Sequence, residues 1–312
     1  MSQEQRFRLV TRSDFDGLVC AVLLKELDLL DEIKFVHPKD MQDGAIQITE
    51  HDITTNLPYV PGAHLAFDHH LSETFRNPGA CGDNYIIDPE APSAARVVYN
   101  YYGGKATFPN ISDEMMEAVD KADSAQFTRD EILNPEGWVL LNYLMDSRTG
   151  LGRFREFRIS NYMLMMQLIG YCKQHTIDEI LELPDVKERK ELYFQHVERA
   201  LEQIRRCSTV YGNLVVLDLR NEEIIYATNR FMIYALFPEC NISIHVIWGL
   251  KQQNTVFATG KSILDRSSKT SIGALMLEYG GGGHEAAGTC QIANDKAEEV
   301  LKALISRINA DG

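Results

Sequence analysis

The chain has 312 residues, 45 acidic and 31 basic, for a formal net charge of −14; 45% of it is hydrophobic and 24% charged. That size and apolar share fit two ordinary folded domains better than one and argue against disorder. The acidic balance argues against a long grip on duplex nucleic acid, which takes clustered Lys and Arg along the phosphates, and leaves room for a small anion offset by bound divalent metal.

Phe7–Thr11 reads as a short strand ending in Ser13-Asp14-Phe15-Asp16-Gly17, and Leu18–Leu30 reads as a helix. Ile33–His37, Ala45–Thr49 and His64–Phe67 read as further strands. Strands alternating with helices imply a mainly parallel sheet, whose ligand site lies beyond the carboxyl ends of the strands. Ser93–Tyr102 and Ser112–Asp123 read as helices, and Gly137–Cys207 is almost wholly helical. Within it, the charged, periodic stretch Asp185–Arg206 suits a bridge between domains. A second α/β unit starts near Tyr211, with strands at Leu214–Leu217, Ile224–Ala227, Ile242–Trp248 and Thr255–Thr259 and a helix around Arg230–Phe237. A helix at Ile272–Tyr279 leads into Gly280-Gly281-Gly282-Gly283-His284, and Lys296–Ile308 closes the chain as a helix. The expected fold is therefore α/β: a mainly parallel-sheet N-terminal domain over 1–184, a helical linker over 185–208 and a smaller mixed-sheet α/β C-terminal domain over 209–312.

Six scattered cysteines, Cys20, Cys81, Cys172, Cys207, Cys240 and Cys290, form no Cys-x-x-Cys pair. That usage suits free thiols in a reducing compartment. The opening MSQEQRFRLV has no apolar signal region, and the most hydrophobic helical stretch, Tyr162–Tyr171, is too short for a bilayer, which needs about 20 residues. A cytoplasmic protein without a membrane partner is expected.

Asp14-Phe15-Asp16-Gly17 offers two carboxylates at the mouth of a strand, each able to reach a hard cation, with Gly17 allowing a sharp turn into the helix; as a motif alone it is also an ordinary turn. Asp52 is read as following the third strand, where it is either a loop aspartate or a bridge between two metals. Asp68-His69-His70 ends the fourth strand and says more. A histidine supplies a neutral nitrogen ligand, a neighbouring carboxylate orients an imidazole, and titratable groups crowded at a sheet edge do nothing for stability. Asp123 ends a helix. Gly280–Gly283 and His284-Glu285-Ala286-Ala287-Gly288 suit backbone amides approaching an anion, with small residues packing a helix that follows.

Taken together, an N-terminal Asp-x-Asp-Gly, a later Asp, an Asp-His-His, a further Asp and a C-terminal Gly-Gly-Gly-His-x-x-Ala-Ala-Gly resemble the DHH phosphoesterase superfamily with its DHH-associated C-terminal domain, over nearly the whole chain. The resemblance implies hydrolysis of phosphodiester or phosphoanhydride bonds with one or two Mn2+ or Mg2+ ions. By motif, Asp16, Asp52, His69 and Asp123 would form one metal site, and Asp14 with a bridging Asp52 a second. Asp68 would orient its neighbours, His70 would face the substrate or a bound water, and His284 with the amides of Gly281, Gly282 and Gly283 would hold phosphate oxygens. Lys261 and Arg266 are further candidates for that grip. Family members commonly carry a His just upstream of the Asp pair; here the residues are Thr11-Arg12-Ser13, and Arg12, always protonated, cannot ligate a metal, so the second site is expected to be weaker, water-completed or empty, with Arg12 available as a substrate-phosphate contact instead. The expected substrate is a short oligonucleotide, cyclic dinucleotide or nucleotide phosphate, and the oligomeric state stays open, with a homodimer allowed. An exopolyphosphatase or pyrophosphatase is the alternative, and a non-catalytic nucleotide-binding sensor a second.

Overall fold

The computed structural model of the protein describes residues 5–70, 82–154 and 156–312; Met1–Glu4 and Cys81 lie outside them. By chain contacts these residues form two compact units. The first takes in the described residues up to Gln126, with Glu136–Ser147 and Gly152–Lys190. The second takes in Phe127–Pro135, Arg148–Leu151 and Glu191–Gly312.

The first unit opens with β1 (Phe7–Arg12), α1 (Phe15–Glu26), β2 (Leu30–Val36), α2 (Pro38–Gln42), β3 (Asp52–Thr55), β4 (Leu65–Asp68) and β5 (Tyr85–Ile87). The strands form one parallel sheet in the order β2-β1-β3-β4-β5. Helix α1 is apolar all round, and Leu18 to Leu24 are fully buried, as a helix enclosed by its neighbours must be. It starts at Asp14, whose carboxylate caps it by accepting from the Gly17 amide at 3.0 Å. It ends earlier than its hydrophobicity suggests, because Asp28 takes a positive φ and Leu30 already belongs to β2. Helices α3 (Ala94–Tyr101), α4 (Asp113–Asp123), α6 (Gly137–Met145), α7 (Asn161–Gln174) and α8 (Ile177–Glu182) complete the unit, α5 (Arg129–Leu133) belonging to the other. Helix α9 (Pro184–Cys207) carries the chain out of the first unit and into the second.

The second unit holds a six-stranded mixed sheet, ordered β10-β11-β9-β8-β7-β6. Its strands are β6 (Ser208–Tyr211), β7 (Leu214–Asp218), β8 (Ile242–Trp248), β9 (Thr255–Lys261), β10 (Gly282–His284) and β11 (Ala287–Ile292). Leu214, Val216, Ile244, Val246 and Phe257 alternate onto one face, where they pack with Ile272 and Met276 of α11 (Ile272–Glu278) and Leu304 and Ile308 of α12 (Ala297–Asp311). Phe231 and Tyr234, the latter on α10 (Met232–Leu236), are buried as well. The short pieces 127–135 and 148–151 join this unit through specific bonds: Asn229 Nδ2 donates to the Ile132 carbonyl at 2.9 Å, and the Thr228 amide to that of Thr149 at 3.0 Å.

Three sequence expectations are corrected. Ala45–Thr49 is irregular, and the third strand is Asp52–Thr55. Ile224–Ala227 is no strand, because the amides of Tyr226 and Ala227 donate to the side chains of Gln203 and His196 on α9. The residues after the glycine run form a β-hairpin, β10–β11, where a helix was expected. Among the described residues, no helix is long and apolar enough to cross a membrane.

Candidate metal centre

Register decides which residues meet. In the parallel sheet, Thr11 of β1 pairs with Thr55 of β3, and Thr55 with Phe67 of β4. The next residues, Arg12, Asn56 and Asp68, therefore share one level at the carboxyl ends of adjacent strands. Gly17 is needed there: a Cβ on it would lie 2.0 Å from the Arg12 carbonyl oxygen, so only glycine lets α1 start this close to β1.

Asp16, His69 and Asp123 each aim one ligand atom at a common point, those atoms lying within 4.8 Å of one another. Asp16 is buried, and its two carboxylate oxygens accept from the Ala94 and Ala95 amides at 3.0 and 2.7 Å. These amides open α3, whose cap is Ser93, so a helix N-terminus holds Asp16 by both oxygens and leaves a lone pair on each. His69 Nδ1 lies 3.2 Å from the Ala91 carbonyl oxygen and so carries the proton, which turns the Nε2 lone pair into the cluster. Asp123 ends α4, where the helix dipole disfavours a carboxylate and favours a cation. Helices α3 and α4 are tied together by Asp120, which accepts from Ser93 Oγ at 2.7 Å and from Arg96 Nε at 2.9 Å.

The donor set fits a divalent cation. His69 Nε2 is buried, 2.8 Å from Asp123 Oδ2, and has no well-directed hydrogen bond. Two electron-rich atoms facing each other at that distance need positive charge between them, from a proton or a metal. Burial, and then the Asp123 charge, push the pKa of Asp16 up to about 8. Burial opposes a charge on His69, but the short contact with Asp123 and the charge of that carboxylate outweigh it and lift the pKa to about 9. Asp123 is held below its ordinary value, the His69 partnership outweighing burial. A cation with bonds of about 2.0–2.2 Å sets neighbouring ligands some 3–4 Å apart, within the spacing seen here.

Asp68 is buried at the end of β4 and accepts from His70 Nδ1 at 2.7 Å and from the His69 amide at 2.9 Å. It fixes the half-exposed His70 ring directly and His69 only through the backbone. Asp14 stands beside the cluster, with Arg12 Nε 2.8 Å from its Oδ2.

Asp52 is not brought to the centre. It begins β3 instead of following a strand, so it lies at the amino end of the sheet, roughly 13 Å along the chain axis from Asn56. There its buried carboxylate receives Arg8 Nε at 2.6 Å and the Thr49 amide at 2.7 Å, a structural ion pair. The residue at the exit of β3 is Asn56, which the sequence reading passed over. It has φ 55°, donates Nδ2 to Asp14 at 3.2 Å, and keeps a buried Oδ1 without a hydrogen-bond partner. An Asn closing the β-branched run Ile53-Thr54-Thr55 was the available signal, since Asn tolerates positive φ better than most residues.

In the second unit, Gly282, Gly283 and His284 are exposed on β10, and His284 Nδ1 accepts from the Ala286 amide at 3.3 Å. The glycines are dictated by packing: a Cβ on Gly281 would lie 2.2 Å from the Thr289 carbonyl oxygen and one on Gly283 2.3 Å from that of Ala287. Lys261 Nζ pairs with Glu285 at 2.7 Å, and Arg266 is exposed in the loop after β9.

No family profile matches the chain. A solved structure titled pGpG-specific phosphodiesterase PggH, from Vibrio cholerae, is 67% identical over 98% of this chain and 100% of that one, with a TM-score of 0.87. Such a likeness, with a carboxylate–histidine cluster at the carboxyl ends of a parallel sheet, makes the protein a metal-dependent phosphoesterase. RecJ with Mn2+ from Thermus thermophilus shares the fold at 14% identity and a TM-score of 0.50, over 99% of this chain and 52% of RecJ. The chain belongs to the DHH phosphoesterase superfamily. CDC45 from Entamoeba histolytica also shares the fold, at 10% identity and a TM-score of 0.51 over 97% of this chain and 95% of that one. A curated relative, the A-adding tRNA nucleotidyltransferase of Aquifex aeolicus, is 28% identical over 116 residues; the match covers 34% of this chain and only 14% of that relative.

Proposed function

We propose that this protein hydrolyses a short linear dinucleotide, pGpG, to two molecules of GMP, with a divalent cation, Mn2+ or Mg2+, held by Asp16, His69 and Asp123. One observation carries the substrate: 67% identity across 98% of the chain to a phosphodiesterase described as specific for pGpG. When bound, the cation supplies Lewis-acid activation of water and of a phosphoryl oxygen. Asp68 holds His70 by Nδ1, so that Nε2 is directed to move a proton to or from the reacting group. His284, the amides of Gly281, Gly282 and Gly283, Lys261 and Arg266 bind substrate oxygens, a role supported by the exposure of Gly282, Gly283, His284 and Arg266. The net charge of −14 favours this small substrate over a long nucleic acid. The described cysteines, all free, suit action in the cytoplasm.

The test is chromatographic release of GMP from pGpG with Mn2+ or Mg2+, beside cyclic dinucleotides, longer oligonucleotides, pyrophosphate and polyphosphate. The expected result is turnover of pGpG above every other substrate and its loss in Asp16→Asn. Preferred cleavage of polyphosphate or pyrophosphate, or equal turnover by Asp16→Asn, overturns the proposal.

A further inference from the structure

The DHH resemblance allows a second cation, joined to the first by a bridging carboxylate, and the site does not fit that second one. At the level where that carboxylate belongs, the residue following β3 is Asn56, a neutral amide. Asp14, the other ligand the second ion would need, is already engaged. Its Oδ1 accepts from the Gly17 amide at 3.0 Å and from Asn56 Nδ2 at 3.2 Å. Its Oδ2 faces Arg12 Nε at 2.8 Å and Asn56 Nδ2 at 3.4 Å. A carboxylate has about four lone-pair sites, so these contacts nearly use it up. Arg12 also brings a permanent positive charge to the place a second ion would take. Asp16 differs, because each of its oxygens accepts from a single amide, and one of them lies within 4.8 Å of the ligand atoms of His69 and Asp123.

We infer that the chain holds a single divalent cation, at Asp16, His69 and Asp123, and that Arg12 and Asn56 stand where a second cation and its bridging ligand would be. The inference rests on the metal-dependent reading above. Arg12 thereby supplies fixed positive charge beside Asp14, with its remaining guanidinium donors available to a phosphate oxygen.

Metal counting tests this without reference to turnover. The full chain is titrated calorimetrically with Mn2+ alone, and the loaded protein is examined by electron paramagnetic resonance. About one ion per chain, with the hyperfine pattern of an isolated ion, is expected; two ions about 3.5–4 Å apart are magnetically coupled. The double variant Arg12→His/Asn56→Asp restores the missing ligands, and its count is expected to rise toward two, with a coupled spectrum. Two ions of comparable affinity in the unaltered protein overturn the inference and leave the phosphodiesterase reading standing. No bound ion removes both. A double variant that folds and still binds one ion overturns the roles given to Arg12 and Asn56; if it fails to fold, the count in the unaltered chain still decides.

Discussion

Replacing Asp52 by Ala separates a structural carboxylate from a ligand. Asp52 is fully buried and accepts from Arg8 Nε at 2.6 Å, Arg8 Nη2 at 3.0 Å, the Thr49 amide at 2.7 Å and Thr49 Oγ1 at 3.0 Å. Removing one partner of a buried ion pair costs about 3–5 kcal/mol, because the other charge is left without compensation. The Arg8 side chain is 22% exposed and regains some water, which lowers the expected loss to about 2–3 kcal/mol. Urea denaturation measures it, and Mn2+ titration of the same variant is expected to show unchanged stoichiometry. The pH dependence adds a signature. Burial raises the pKa of Asp52, but the Arg8 and Thr49 bonds outweigh it and depress the folded value below 3.8. The stabilisation is therefore complete above the unfolded pKa and disappears as pH falls through the folded one, and the variant lacks this acid limb. Loss of Mn2+ binding with stability intact would refute the placement of Asp52 away from the ion.

Mn2+ must displace protons from Asp16, with a pKa near 8, and His69, near 9, so its affinity should climb by about tenfold per pH unit for each proton released as pH rises toward those values. Calorimetry in buffers of different ionisation enthalpy counts these protons, and a flat affinity from about pH 6 to 9 contradicts the cluster. Both folded pKa values are raised, so stability of the metal-free protein is highest below the ordinary values of 3.8 and 6.5 and falls as pH rises to about 8 and 9; its melting temperature should drop over that interval and recover with Mn2+. Asp68→Asn should lower kcat by about 10²–10⁴ while keeping the ion, since Asp68 acts through His70; equal loss of metal argues for a ligand role. Gly281→Ala should destabilise the second unit by about 1–3 kcal/mol in thermal melting, its Cβ meeting the Thr289 carbonyl.

Much of the site was readable because its chemistry sits in short contiguous runs. Asp14-Phe15-Asp16-Gly17 and Asp68-His69-His70 each follow a strand whose apolar pattern is clear, and α1 is too hydrophobic to be anything but a central element. Asp52 was misplaced for a physical reason. Ala45-Ile46-Gln47-Ile48-Thr49 has the alternation of a half-buried strand, whereas Asp52–Thr55, buried throughout, shows none. Shifting the strand moved its exit from Asp52 to Asn56 and exchanged a charged residue for a neutral one. The glycine run misled differently. Its small residues do allow close packing, but of hairpin strands against each other and against α11, as the 2.9 Å approach of a Cβ on Gly273 to the Gly283 backbone shows. No local pattern announces that Ala94 and Ala95 hold Asp16 from nearly 80 residues away.

The strut from Asp120 to Ser93 and Arg96 has a consequence for ion choice. It braces the helix whose first turn pins Asp16 against the helix whose last residue is Asp123. The gap between two of the three proposed ligands is thus dimensioned by residues outside the proposed ligand set. Mg2+ demands tighter geometry than Mn2+, so lengthening or slackening that brace is expected to retune metal preference with every proposed ligand residue retained.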